Sequence, residues 1–345
     1  MTQNTIGNTY GATAAIIGAG SWGTALANLL ANKGVGVRVY DADAALLSQL
    51  QKDYENKKYL PGLTLNRAIE IKETTEAAVS GADFVITAVP AQHFRAALGA
   101  ALPHMKPNTP IVNVAKGIEV KSLQTISAIA NADAKDHPYA ALSGPSHAEE
   151  VALGVPTTVV AASKDSQLAE AVQDLFMTSA FRVYTNEDVL GVELGGALKN
   201  IIALGAGISD GMKYGDNTKA ALMTRGIAEM ARLGVRMGAQ RETFFGLSGI
   251  GDLIVTCTSI HSRNRRCGVL IGEDVPPDEA RARVGMVVEG IPTAEAAGAL
   301  AKNLKVDMPI TEAICRIVSG DTKPAEALLS LMGRPKKHEH EEILS

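Results

Sequence analysis

Ile16-Ile17-Gly18-Ala19-Gly20-Ser21-Trp22-Gly23 decides how this chain is read: a short apolar run breaks into three glycines and then into a helix-compatible stretch. Ala14 to Ile17 have the character of a buried strand, and Ser21 to Lys33 read as a helix ending near Gly34. Gly18, Gly20 and Gly23 stand in G-x-G-x-x-G spacing. One glycine makes the tight bend, one lets the backbone approach a pyrophosphate, and one permits close packing of helix on strand. The helix N-terminus adds unpaired N–H groups and the positive end of its dipole. Glycines also gather in ordinary turns, so the context decides. A second strand, Val35 to Tyr40, ends in Asp41, roughly 20 residues beyond the glycines, where a carboxylate can hold the ribose hydroxyls of an adenosine. Asp41 and the uncharged Ala42 predict NAD in preference to NADP, because a carboxylate there repels a 2′-phosphate; Arg38, within the strand, argues the other way.

Outward from that turn the first half keeps one rhythm. Short β-branched runs alternate with helical stretches, with strands expected at 12–17, 36–40, 68–71, 83–88, 110–114, 139–142, 157–161 and 181–184. That pattern predicts an α/β fold with a mostly parallel, Rossmann-type sheet, followed by an all-helical domain. Ligands in such sheets sit beyond the carboxyl ends of the strands. The candidate segments are therefore Ala88-Val89-Pro90-Ala91, Asn113 to Gly117 with its Lys116, and Ser143-Gly144-Pro145-Ser146-His147-Ala148. Asp53 to Gly62 has loop composition and reads as a solvated connection in preference to a mobile flap near the adenosine. Past residue 188 long helical periods replace the strands. The expected division is a dinucleotide-binding domain over 1–188, a helical substrate and catalytic domain over 189–333, and a disordered charged tail over 334–345, in which His338 and His340 read as solvated.

At 345 residues and 46% hydrophobic content the chain can bury two cores; with 4% aromatics, aliphatic side chains must fill them. A net charge of −4 weighs against nucleic-acid binding, so any basic site must be local. Cys257, Cys267 and Cys315 are odd in number and contain no C-x-x-C pair, which supports neither a disulfide framework nor a metal site. They read as core residues in a reducing, cytoplasmic compartment. The polar N-terminus has no signal-type region, and the most apolar long segment, Val192 to Ile208, is interrupted by Glu193 and Lys199; a buried helix with functional charges fits it better than a membrane span.

A nicotinamide enzyme needs a group that exchanges a proton with the substrate oxygen. Lys199, in Gly195-Gly196-Ala197-Leu198-Lys199-Asn200, sits where lost hydration and a neighbouring cation lower an ammonium pKa. Asp252 and Thr256, four apart, share a face if their segment is helical and could orient that lysine; a helix cap by Asp252 competes with this reading. Ser262-Arg263-Asn264-Arg265-Arg266 places three arginines in four residues of an acidic protein, a pattern suited to phosphate, against the plainer reading of a solvated basic turn.

With these residues in view the chain resembles bacterial NAD(P)-dependent glycerol-3-phosphate dehydrogenase. The matching motifs are Gly18 to Leu26, Ala115-Lys116-Gly117, Ser143-Gly144-Pro145, Leu194 to Asn200, Gly251-Asp252-Leu253, Thr256-Cys257, Ser262-Arg263-Asn264 and Val288-Glu289-Gly290. The resemblance implies interconversion of dihydroxyacetone phosphate and sn-glycerol 3-phosphate for phospholipid synthesis. It implies Lys199 as proton donor or acceptor, Lys116 as the group that holds and polarises the substrate, and Asp252 and Thr256 as their support. Asn200 assists; Arg263 and Asn264 take the phosphate, helped by Ser262, Gly144 and Ser146. Gly18, Gly20, Ser21, Trp22, Gly23, Asp41, Lys116, Ala148, Arg263, Val287 and Glu289 face the cofactor. Family members often carry a basic residue where this chain has Ala42, which again predicts NAD, with NADP as the second choice. A homodimer through the helical domain is expected. The alternatives are a related dehydrogenase acting on another hydroxy acid or sugar acid phosphate, and a dinucleotide-binding redox sensor, which needs the glycines and Asp41 but not Lys116, Lys199 and Asp252 together.

Overall fold

The computed structural model describes residues 11–336, 338 and 339, so the expected disordered tail falls mostly on residues outside this range. The chain divides into two compact units. The first comprises the residues through Ala115 together with Ile126–Val189; the second comprises Lys116–Thr125 and the residues from Leu190.

In the first unit the strands are β1 (Thr13–Ile17), β2 (Gly36–Tyr40), β3 (Glu55–Asn56), β4 (Leu60–Thr64), β5 (Ile69–Ile71), β6 (Phe84–Thr87), β7 (Ile111–Asn113), β8 (Tyr139–Ser143), β9 (Thr157–Ala162) and β10 (Phe181–Asn186). Eight of them form one sheet in the order β10-β9-β8-β7-β6-β1-β2-β5. All its pairings are parallel except β8 with β9. Ala14, Ala15 and Ile16 of β1 are wholly buried, as expected of a strand covered on both faces. The strand order reverses between β1 and β6, and the glycine turn leaves β1 at that point. Gly18 has φ +106°, and a Cβ there would lie 2.7 Å from the Ala88 carbonyl oxygen at the end of β6. Because β6, β7 and β8 are adjacent and parallel, the three candidate segments that follow them start from one edge of the sheet.

One expectation is overturned. The stretch 53–62 is no solvated loop: β3 and β4 pair as a separate antiparallel hairpin, and Asn56 is fully buried. Its amide donates to the Ala19 carbonyl and to Thr24 Oγ1, each at 2.8 Å, so the polar composition that resembles a loop serves to bind the glycine turn.

From Leu190 onward the described residues form helices and their connections, with no strand among them. Its core is aliphatic, with Leu194, Leu198, Ile201, Ile202 and Leu204 of the helix Val189–Gly211 at its centre. That helix is long and apolar enough to cross a membrane by length and composition, yet 94% of its most apolar window is buried inside the protein. It is therefore a core helix, longer in its apolar character than the sequence reading allowed. Glu229, on the helix Asp216–Met237, is buried and accepts the Ile310 and Thr311 N–H groups at 2.6 and 3.1 Å, capping the helix Pro309–Val318 from outside. Burial pushes its carboxyl up to about 7 against the pull of those hydrogen bonds. Cys257 and Cys267 are buried and all three cysteines are free; burial raises the Cys257 thiol to about 12, which leaves it unreactive.

Candidate functional site

In the first unit the helix Ser21–Asn32 starts at Gly20, which carries no side-chain cap, and its first turn has no acidic residue. Its leading N–H groups are thus left for an outside acceptor. A Cβ at Gly20 would meet nothing within 4 Å, whereas one at Gly23 would lie 1.9 Å from the Gly18 carbonyl oxygen. Trp22, packed near Phe181 with ring centroids 6.5 Å apart, buries an indole N–H without a partner among the described residues. The Asp41 carboxylate at the end of β2 is fixed by the Ala19 N–H at 2.7 Å and the Asp43 N–H at 2.9 Å. A pyrophosphate at the bare helix end and a ribose at Asp41 fit this cradle. Beyond β8, Gly144 has φ +136° and would press a Cβ to 3.0 Å from Val159 Cα, and Ser146 Oγ donates to the Gly144 carbonyl. Ala148 is buried in a small cluster with Ala25 and Leu60.

In the second unit Lys116, Lys199, Asp252 and Thr256 meet. Lys116 Nζ lies 2.7 Å from Asp252 Oδ2, and Lys199 Nζ lies 3.0 Å from Asp252 Oδ1 and 2.7 Å from Thr256 Oγ1. Thr256 Oγ1 in turn donates to the Asp252 carbonyl at 2.6 Å, the i to i+4 relation expected of one helix face. Asp252 is not a cap: a π-helical turn, Leu247–Gly251, precedes it. Gly195, one helical turn before Lys199, admits that turn, since a Cβ there would lie 2.7 Å from the Ser248 carbonyl oxygen.

Burial pulls the Lys199 ammonium down to about 8, against the opposing pull of Asp252 and helped by the Lys116 charge. For Asp252, burial works to raise the carboxyl, but the two ammonium groups and their hydrogen bonds hold it below the ordinary carboxylate range. The cluster carries two positive charges and one negative, a surplus of one cation. An ammonium has three N–H donors. Two of those on Lys199 go to Asp252 and Thr256, and the third has no acceptor among the described residues.

A second network adjoins the first. The Gly290 N–H donates to Asn264 Oδ1 at 2.8 Å, Asn264 Nδ2 to Asn200 Oδ1 at 2.9 Å, and Asn200 Nδ2 to the Lys116 carbonyl at 3.4 Å. Ser262 caps the helix Arg263–Gly272 by accepting the Arg265 N–H, and Arg263 and Asn264 occupy its first turn. Four glycines press this helix onto Val189–Gly211. Cβ atoms at Gly207 and Gly211 would lie 2.0 and 2.2 Å from the Arg265 and Val269 carbonyls, and at Gly268 and Gly272 2.1 and 2.3 Å from those of Leu204 and Ile208.

The arginine run does not act together. Arg265 is paired with Asp210 at 2.6 Å, a carboxylate shared with Lys219; Arg266 is exposed, and Arg263 is half-buried at the helix start. Glu289 precedes the helix Gly290–Leu304 and Val287 is exposed nearby in sequence. Sequence reading missed Asn56 and Tyr59, whose carbonyl accepts Ser21 Oγ at 2.7 Å. The signal available was a buried-type asparagine in a short polar run, which local composition does not separate from a loop.

A switch-point glycine turn on a Rossmann-type sheet, with a buried lysine poised near neutrality on the same chain, defines a nicotinamide-linked oxidoreductase. Family models agree: the N-terminal part of NAD-dependent glycerol-3-phosphate dehydrogenase matches residues 13–169 and its C-terminal part residues 188–329. Glycerol-3-phosphate dehydrogenase [NAD(P)+] from Pelotomaculum thermopropionicum is 53% identical over 95% of each chain, and that from Bacillus subtilis 50% over 96% of each. The crystal structure of glycerol-3-phosphate dehydrogenase from Coxiella burnetii superposes with a TM-score of 0.92 at 38% identity, covering 94% of this chain and 100% of that one. The chain belongs to the NAD-dependent glycerol-3-phosphate dehydrogenase family.

Proposed function

We propose that this chain interconverts dihydroxyacetone phosphate and sn-glycerol 3-phosphate, with the first unit holding NAD(P)H and the second holding the substrate, and so supplies glycerol 3-phosphate for phospholipid synthesis. The observation that carries this reading is Lys199, whose third N–H has no acceptor among the described residues while Asp252 and Thr256 fix the other two. Bound NAD(P)H supplies the hydride. Lys199 gives the substrate oxygen its proton through that third position, and on losing it keeps both other hydrogen bonds and presents a lone pair. The reverse reaction uses the lone pair as base. The one-cation surplus of the cluster favours the alkoxide that develops before the proton arrives. Lys116 shares Asp252 with Lys199 and adds positive charge at the same oxygen. The first turn of Arg263–Gly272, with the Arg263 guanidinium, is suited to the phosphate, and Asn200 and Asn264 hold that turn against the Lys116 carbonyl.

Asp41, held by two main-chain N–H groups with Ala42 beside it, supports NAD as the preferred cofactor. Exposed Ile260, Leu329 and Met332 support pairing of two copies through the helical unit, and the free cysteines support a cytoplasmic setting.

The test is the initial rate of dihydroxyacetone phosphate reduction with NADH and NADPH in parallel, in wild type and Lys199→Ala. Rapid NADH oxidation, lost in a variant that still binds the dinucleotide, is the expected result. Greater efficiency with NADPH overturns the cofactor choice alone. Stronger activity on an unphosphorylated hydroxy acid overturns the substrate, and cofactor binding without turnover in wild type points to a sensor.

A further inference from the structure

The dinucleotide turn is bordered by side chains that the assignments above leave unused. Asp41 takes the Asp43 N–H on Oδ1, and Asp43 Oδ2 holds Lys58 Nζ at 2.9 Å. Lys58 is delivered by the β3–β4 hairpin, which is itself fastened to the turn twice: Asn56 binds the Ala19 carbonyl, and the Tyr59 carbonyl binds Ser21 Oγ. Ala19, Asp41, Asp43, Lys58, Tyr59 and Ser21 thus close a rim in which the ammonium stands two links from the carboxylate that marks the ribose. The Lys58 and Asp43 side chains are 55% and 36% exposed, so each can be reached by a ligand. Two carboxylates and one ammonium leave the rim with one net negative charge.

We propose that Asp43 determines dinucleotide specificity: it occupies the Lys58 ammonium and adds a second carboxylate beside Asp41, and so keeps out a ribose 2′-phosphate for which Lys58 is the latent partner. The inference rests on the reading of the first unit as the NAD(P) site. Without Asp43 the rim is neutral and its ammonium is released. A phosphate monoester carries more negative charge than a carboxylate and offers three acceptor oxygens, so it is the natural new partner. Asp43 also caps the helix Ala44–Asp53 by accepting the Leu46 N–H at 3.1 Å. The substitution that tests the charge must therefore keep a cap, which Ser and Asn both do.

The experiment is isothermal calorimetry of the full-length protein with NAD+ and with NADP+, in wild type, Asp43→Ser, Asp43→Asn and the double variant Asp43→Ser/Lys58→Ala. Either single variant is expected to tighten NADP+ about tenfold relative to NAD+, the scale of one charge contact near a protein surface, while NAD+ affinity stays within about twofold of wild type. The double variant loses the gain. A ratio unchanged in both single variants, or a gain that survives removal of Lys58, overturns the proposal. Failure of wild type to bind either nucleotide overturns the reading of the first unit, and with it this inference, and is read before any variant is made.

Discussion

In the first unit the groups poised for an anion are main-chain N–H donors at the bare start of Ser21–Asn32; in the second they are two ammonium groups gathered on one buried carboxylate. The turn needs only local spacing and the absence of side chains, so its donors keep their character at every pH. The cluster assembles residues 136 and 53 positions apart, and burial sets its titration. On the function proposed above, binding of a constant ligand is entrusted to backbone, and movement of a proton to side chains whose environment can be tuned.

The sharpest break of this contrast is Lys199→Met. Turnover should fall about a thousandfold, within the usual worth of a general acid and base, with the NADH dissociation constant unchanged when measured by fluorescence titration. Glu229→Gln asks whether buried charge governs stability in the helical unit. A carboxyl raised from 4.5 to about 7 in the fold binds more protons folded than unfolded between those values. Its stabilising contribution is therefore full below pH 4.5 and is lost as pH rises to 7, a fall on the order of 3 kcal/mol. Urea unfolding across that range should show the fall in wild type and a flatter profile in the variant. Gly23→Ala breaks the other side: with a methyl forced against the Gly18 carbonyl, NADH affinity should drop by about tenfold or more and stability by roughly 1–3 kcal/mol. Its Lys199 titration should not move. The smallest effect is on pH. Reduction needs protonated Lys199 and should decline above about pH 8, while oxidation should rise through the same value. Asp252→Asn removes a group that raises the lysine and should shift both midpoints downward in pH–rate profiles, by about one unit.

The same contrast explains what was legible beforehand. All eight strands of the main sheet and the glycine turn stand out because each is a local pattern, a short apolar or β-branched run or a fixed spacing. Lys199, Asp252 and Thr256 were legible as types of residue in unusual surroundings, and the i to i+4 relation of the last two followed from helical periodicity. What hid was pairing at long range. Nothing near Asn56 says that its amide ends on Ala19 and Thr24, and nothing in the arginine run says that Arg265 is drawn to Asp210, because those partners are chosen by the fold. The amide network from Gly290 to Lys116 is of the same kind: Asn264 was expected to spend its side chain on phosphate, and both ends of that amide already have protein partners.

The glycine seam between Val189–Gly211 and Arg263–Gly272 sets a gauge. Backbone rests on backbone at four places, so no side chain there can be trimmed or lengthened to adjust the fit. Lys199 and Asn200 lie on one helix and Arg263 and Asn264 on the other, so the span between those two pairs of residues is fixed by the two rods together. Reshaping the walls around a ligand leaves that span untouched. An engineer who wants to change that span has to begin at Gly207, Gly211, Gly268 and Gly272.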